Sequence, residues 1–91
     1  MFRFHKSVPV PYDRQGYIYF SAKRYKFLPE REKEKIRAVC QEAGGEYGKA
    51  LLEYMTTDAE PAAVCRRHYI SRSTLDRMVR RYYITMDQVD G

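Results

Sequence analysis

The stretch from Ser71 to Tyr83, SRSTLDRMVRRYY, holds the densest set of side chains in this chain able to do recognition chemistry. Arg72, Arg77, Arg80 and Arg81 each present forked N–H donors that match the oxygens of a phosphate or the O6 and N7 acceptors of guanine. Asp76 can accept from a cytosine amine, and Ser73 can bond to the edge of several bases. The hydroxyls of Ser71 and Thr74 suit phosphate oxygens, and the Thr74 methyl suits thymine. Just upstream, Arg66 and Arg67 add two more donors of the phosphate-binding kind. All the basic residues after position 60 are Arg and none is Lys, a choice that solubility alone does not require.

Such groups act only if something rigid holds them, and the spacing of apolar residues supplies it. Leu75, Met78, Val79 and Tyr82 recur at i, i+3, i+4 and i+7, which predicts an amphipathic helix over Arg72 to Tyr83 with Ser71 as its N-cap. Before it, Pro61 suits the first turn of a helix and Thr57 or Asp58 can cap the free amides, so a helix is expected from near Ala59 to His68 or Tyr69. Val64, Cys65 and His68 share its inner face. Two short helices joined by a tight turn over residues 58–84, the second rich in Arg, give the outline of a helix-turn-helix, a unit that lays its second helix in the major groove of duplex DNA. Gly is common in that turn because positive φ is needed there. Here the residue is Tyr69, so the turn either strains a tyrosine by about 1 kcal/mol or takes another geometry.

The remaining chain predicts an all-α domain of about five helices behind an extended N-terminal arm. Pro9 and Pro11 force an extended course through residues 1–20, Asp13 to Gly16 offers a turn, and the aromatic run Tyr17 to Phe20 suits a short strand. Residues 21–86 form the helical domain. Ser21 can cap a short helix over Ala22 to Leu28, and Pro29 punctuates it. Glu30 to Ala43 is a helix with acids in its first turns and Ile36, Val39, Cys40 and Ala43 as its stripe, ended by Gly44 and Gly45. Its EREKEK run reads as a solvated face with intrahelical ion pairs. Glu46 to Thr56 follows as a helix with Tyr47, Ala50, Leu51, Tyr54 and Met55 inward. The last three helices form a trihelical core, and residues 87–91 are expected to fray.

Composition narrows the function classes. The 91 residues make one domain with a net charge of +5, carried as +5 over residues 1–26, −3 over 27–60 and +3 over 61–91. Two basic regions around an acidic centre suit a face that meets a polyanion. No apolar run approaches the length of a membrane span or signal peptide, so a cytoplasmic protein with no membrane partner is expected. Cys40 and Cys65 lack metal or redox spacing and read as reduced core thiols. His5 and His68 complete no zinc pattern, and His68 reads as half-buried at a helix end. No nucleophile with base and orienting acid, phosphate loop or cofactor motif is visible, so neither an enzyme nor a small-molecule substrate, metal or cofactor is expected.

The span EYGKALLEYMTTDAEPAAVCRRHYISRSTLDRMV, from Glu46 to Val79, resembles the helix-turn-helix region of bacterial transcription factors of the stage III sporulation protein D type. The resemblance rests on Tyr47, on Thr56 and Thr57 at the junction, and on Ser71-Arg72-Ser73-Thr74-Leu75 at the start of the last helix. Transposase and phage helix-turn-helix families share that short string. The resemblance implies sequence-specific binding of double-stranded DNA by a small transcriptional regulator or mobile-element accessory protein. Arg72, Ser73, Asp76 and Arg77 would then face base edges, with Arg66, Arg67, Ser71, Thr74, Arg80 and Arg81 on phosphates. Members of that type carry a basic C-terminal segment, whereas this chain ends MDQVDG, so Arg3, Lys6 and Arg14 of the arm are the candidates for an adjacent groove. The sequence identifies no dimer surface and leaves homodimerisation open.

Two other readings follow from the aromatic residues. Nine tyrosines, with arginines beside them, also fit a protein-interaction module that keeps the trihelical fold, with Phe2, Phe4, Tyr17 and Tyr19 at an exposed edge. The stretch YIYFSAKRYKF, aromatic and basic by turns, fits stacking on single-stranded nucleic acid.

Overall fold

A computed structural model describes residues 2–90, and among these the protein is all-helical with no strand. Five α-helices follow in order: α1 (Tyr12–Lys23), α2 (Glu30–Gly44), α3 (Gly48–Thr56), α4 (Pro61–His68) and α5 (Arg72–Asp90), with 3-10 turns at Tyr25–Phe27 and Gly45–Tyr47. They are not the same set that the sequence pattern suggests, and the larger differences lie towards the two ends of the chain.

Residues 12–20 belong to α1, and the segment before Tyr12 turns and bends over residues 6–10, with the Val8 N–H on the His5 carbonyl at 3.1 Å, instead of running as an extended arm; Met1 lies outside the described residues. The stripe that α1 buries is Gln15, Ile18 and Ala22. A polar residue stands at one of its three positions, which is why period 3.6 was not visible. Gln15 is completely buried and its amide is satisfied on both sides. Its Nε2 donates to the His5 carbonyl at 3.1 Å and the Val10 carbonyl at 2.9 Å, while its Oε1 accepts from the His5 N–H at 2.9 Å. This clamp folds residues 5–10 back along α1 and seats Val8 and Val10 in the core. Ala22 and Lys23, expected to open a separate helix, close α1 instead, and only the 3-10 turn remains of the helix expected over residues 22–28.

The inner helices follow their stripes. α2 buries Ile36, Val39, Cys40 and Ala43, and Gly45 ends it at φ +55°, a conformation that glycine adopts without steric cost. The helix expected from Glu46 starts at Gly48, after a 3-10 turn that leaves Tyr47 exposed, and buries Ala50, Leu51 and Met55. Cys40 and Cys65 are free thiols, Cys40 buried and Cys65 half-buried, and burial pushes the Cys40 thiol up to about 12.

α5 buries Leu75, Met78, Val79, Tyr82, Tyr83 and Met86 and runs to Asp90, so residues 87–90, expected to fray, are helical; Gly91 lies outside the described residues. Ion pairs from elsewhere in the chain hold this extension. Arg14 Nε of α1 meets Asp87 at 2.9 Å, and Lys35 Nζ of α2 meets Asp90 at 2.7 Å as well as Glu32 at 3.1 Å. The EREKEK face therefore does more than pair within its own helix. Acids at a helix C-terminus oppose the dipole, and these two are compensated by cations.

Candidate nucleic-acid interface

α4 and α5 are joined by three residues, Tyr69, Ile70 and Ser71. α4 starts at Pro61 with Glu60 before it and no side-chain cap, so neither Thr57 nor Asp58 caps it; the Thr57 hydroxyl instead accepts from the Ala59 N–H at 3.2 Å. At its end Tyr69 lies in the left-handed region at φ 56°, ψ 45°, and the Ile70 N–H bonds to the Cys65 carbonyl at 3.1 Å. That bond closes a Schellman turn, with Ile70 and Cys65 both packed against the core. The strain on a tyrosine in this conformation is about 1 kcal/mol, and its side chain is 92% exposed.

Ser71 caps α5: its Oγ accepts from the Thr74 N–H at 3.1 Å and donates to the Thr74 hydroxyl at 2.9 Å. The stripe through Leu75 and Met78 fixes the rotation of the helix and turns Arg72, Ser73, Asp76, Arg77, Arg80 and Arg81 to solvent. Arg72 Nε and Asp76 lie 3.2 Å apart at i,i+4; both are well exposed, and such a pair is worth only a few tenths of a kcal/mol, so either partner can exchange it for a ligand at little cost. Arg77 reaches the Thr74 hydroxyl at 3.4 Å.

A cleft of about 950 Å³ runs beside this face. Arg72, Ser73, Asp76, Arg77 and Arg80 of α5 line it together with Arg3, His5, Lys23 and the α3–α4 loop. Its cations Arg3, Lys23, Arg72, Arg77 and Arg80 outnumber its acids Asp58, Glu60 and Asp76. Nothing in the sequence singles out Lys23 as a site residue beyond the aromatic and basic stretch that contains it. Its Nζ donates to the Tyr54 carbonyl at 3.2 Å and to the Thr57 carbonyl, and it lies over the Tyr19 ring at 5.2 Å. Burial lowers its pKa, with Asp58 opposing. His5 rests against Tyr83 with ring centroids 5.3 Å apart. Its pKa is also lowered, by burial first and by Arg3, while Asp76 pulls the other way.

The remaining candidates divide. Arg81 lies on a second, shallow depression with Arg77, Thr74 and the Gly44–Tyr47 segment. Arg66 is exposed on α4, while Arg67 is bonded to Glu53 of α3, whose other oxygen takes His68 Nε2 at 2.9 Å. His68 is half-buried at the helix end, as its position suggested. Lys6 is exposed and is not among the residues that line the cleft. Arg14 is not part of a free arm: it belongs to α1, and its guanidinium is committed to Asp87 and Asp90. Among the described residues no helix is long and apolar enough to cross a membrane.

Comparison with protein-family models, with curated proteins and with solved structures gives no match.

Proposed function

We propose that the protein binds double-stranded DNA in a sequence-specific manner, with α4 and α5 acting as a helix-turn-helix and α5 lying in the major groove. The observation that carries this reading is the face of α5. A capped N-terminus follows directly on a three-residue turn, and Arg72, Ser73, Asp76 and Arg77 lie exposed in its first two turns, where such helices contact bases. Arg80 and Arg81 lie further along for the backbone, with Ser71 and Thr74 at the helix start and Arg66 exposed in the last turn of α4; Arg67 joins them on exchanging Glu53 for a phosphate. Of the N-terminal candidates, Arg3 lines the same cleft as α5 while Arg14 is held by Asp87 and Asp90, so in this reading the N-terminal contribution is Arg3 and not Arg14. The biological role that fits is a small bacterial transcriptional regulator or mobile-element accessory protein acting in the cytoplasm, without cofactor or catalysis.

A mobility-shift assay on a selected duplex and on a scrambled one tests this. Arg72→Ala is expected to weaken the selected duplex by about 1–3 kcal/mol and flatten the preference between the two. Arg81→Ala is expected to weaken both alike. Equal and trivial effects from both substitutions refute the assignment.

The second reading, a protein-interaction module, draws on Tyr12, Tyr17 and Phe20, exposed along α1, and Phe27 in the turn after it. A stable protein complex indifferent to salt, with no retention of duplex, favours that alternative.

A further inference from the structure

The turn between α4 and α5 calls for a left-handed residue at position 69, but nothing within the fold calls for a tyrosine there. The Tyr69 backbone sits in the left-handed region, where glycine or asparagine is accommodated at the least cost. The Schellman turn, with the Ile70 N–H on the Cys65 carbonyl and both residues against the core, holds that backbone, but the side chain is 92% exposed and gains nothing from the chain itself. Residues held in uncommon backbone conformations concentrate at sites that contact something else. Along the chain it is flanked by exposed cations, Arg66 and Arg67 in the last turn of α4 and Arg72 in the first turn of α5. In a docked helix-turn-helix the first helix crosses the sugar-phosphate backbone while the N-terminal residues of the second reach base edges, which puts the connecting turn over the backbone strand that borders the groove.

Resting on the DNA-binding reading, we propose that Tyr69 is a contact to the sugar-phosphate backbone of the bound duplex. Its ring packs on the deoxyribose, and its phenolic hydroxyl donates to a phosphate oxygen between the arginines of α4 and those of α5. An aromatic body with a polar tip serves both halves of that contact, and a hydrogen bond to an ionised phosphate is stronger than one to a neutral acceptor. The strain in the free protein is then retained for affinity, and the contact carries no base preference.

The test pairs two substitutions that tolerate the left-handed backbone but lack the ring, Tyr69→Gly and Tyr69→Asn. Full-length wild type and both variants are titrated by fluorescence anisotropy against a labelled selected duplex and a labelled random-sequence duplex, and their thermal melting is recorded. The expected result is that Y69G melts higher than the wild type while both variants bind both duplexes about tenfold more weakly, the effect of losing one charge-assisted hydrogen bond with its packing. Four results overturn the proposal: Y69G melting no higher than wild type, unchanged affinity in both variants, a loss in Y69G that Y69N does not share, or a loss confined to the selected duplex. Failure of the DNA-binding reading is separate and visible in the same titrations, because the wild type itself then binds neither duplex.

Discussion

Replacing Gln15 by Leu removes the clamp that holds the N-terminal segment, and its cost can be worked from the three bonds involved. The two bonds to the His5 N–H and carbonyl are only partly buried, so water can replace them; each is worth about 1 kcal/mol. The Val10 carbonyl is buried, and leaving it without a donor costs about 1–3 kcal/mol. Leu fills much the same volume and is apolar, which offsets part of this. The net expectation is a loss of about 3 kcal/mol, which for a domain of this size lowers the melting temperature by about 12–24 °C. That is a large share of a total stability of about 5–14 kcal/mol, so the variant still folds. Urea unfolding gives the magnitude, and amide hydrogen exchange at His5 locates it, since that N–H loses its acceptor. A loss under about 1 kcal/mol, or unchanged protection at His5, refutes the argument that this one amide organises residues 5–10.

Two further substitutions test the energetics. The Tyr82 hydroxyl is fully buried without a hydrogen-bond partner, and burial raises its pKa strongly; Tyr82→Phe is therefore expected to leave stability unchanged or raise it by about 1 kcal/mol in urea unfolding, and a loss above about 1 kcal/mol contradicts the reading that the hydroxyl is unsatisfied. His5 titrates lower in the fold than its ordinary 6.5, chiefly through burial, so the unfolded chain takes up a proton first and stability falls as pH drops below about 6.5. His5→Phe, which keeps a ring against Tyr83, is expected to remove that part of the pH dependence; an identical pH profile shows that His5 is not its source.

Where apolar residues alone made the stripe, the fold was legible from spacing. Ile36, Val39, Cys40 and Ala43 marked α2, and Leu75, Met78, Val79 and Tyr82 marked the first part of α5. α1 was hidden because Gln15 takes a buried position that only its bonds to His5 and Val10 make tolerable, and those partners are brought close by folding. The last turn of α5 was hidden for a similar reason: Asp87 and Asp90 look like a fraying tail until Arg14 and Lys35, 73 and 55 residues away, reach them. The exposed set on α5 followed from the helix stripe and could be read directly. The nearness of Arg3 and Lys23 to that face could not, since it depends on how α1 and the N-terminal segment pack. The turn was half legible. Spacing placed Tyr69 where positive φ is common, and the structure puts it at φ 56°.

On the proposed reading, the outer face of α5, together with Arg3 in the same cleft, meets the phosphates and base edges of duplex DNA. The most direct test of that reading is the affinity for a random-sequence duplex as a function of salt. Five exposed cations assigned to phosphates, Arg3, Arg66, Arg67, Arg80 and Arg81, predict that log K falls linearly with log salt concentration with a slope of about −4.5, and that the slope shrinks by about one in Arg81→Ala. Absence of duplex binding at low salt, or binding that does not change with salt, contradicts the account.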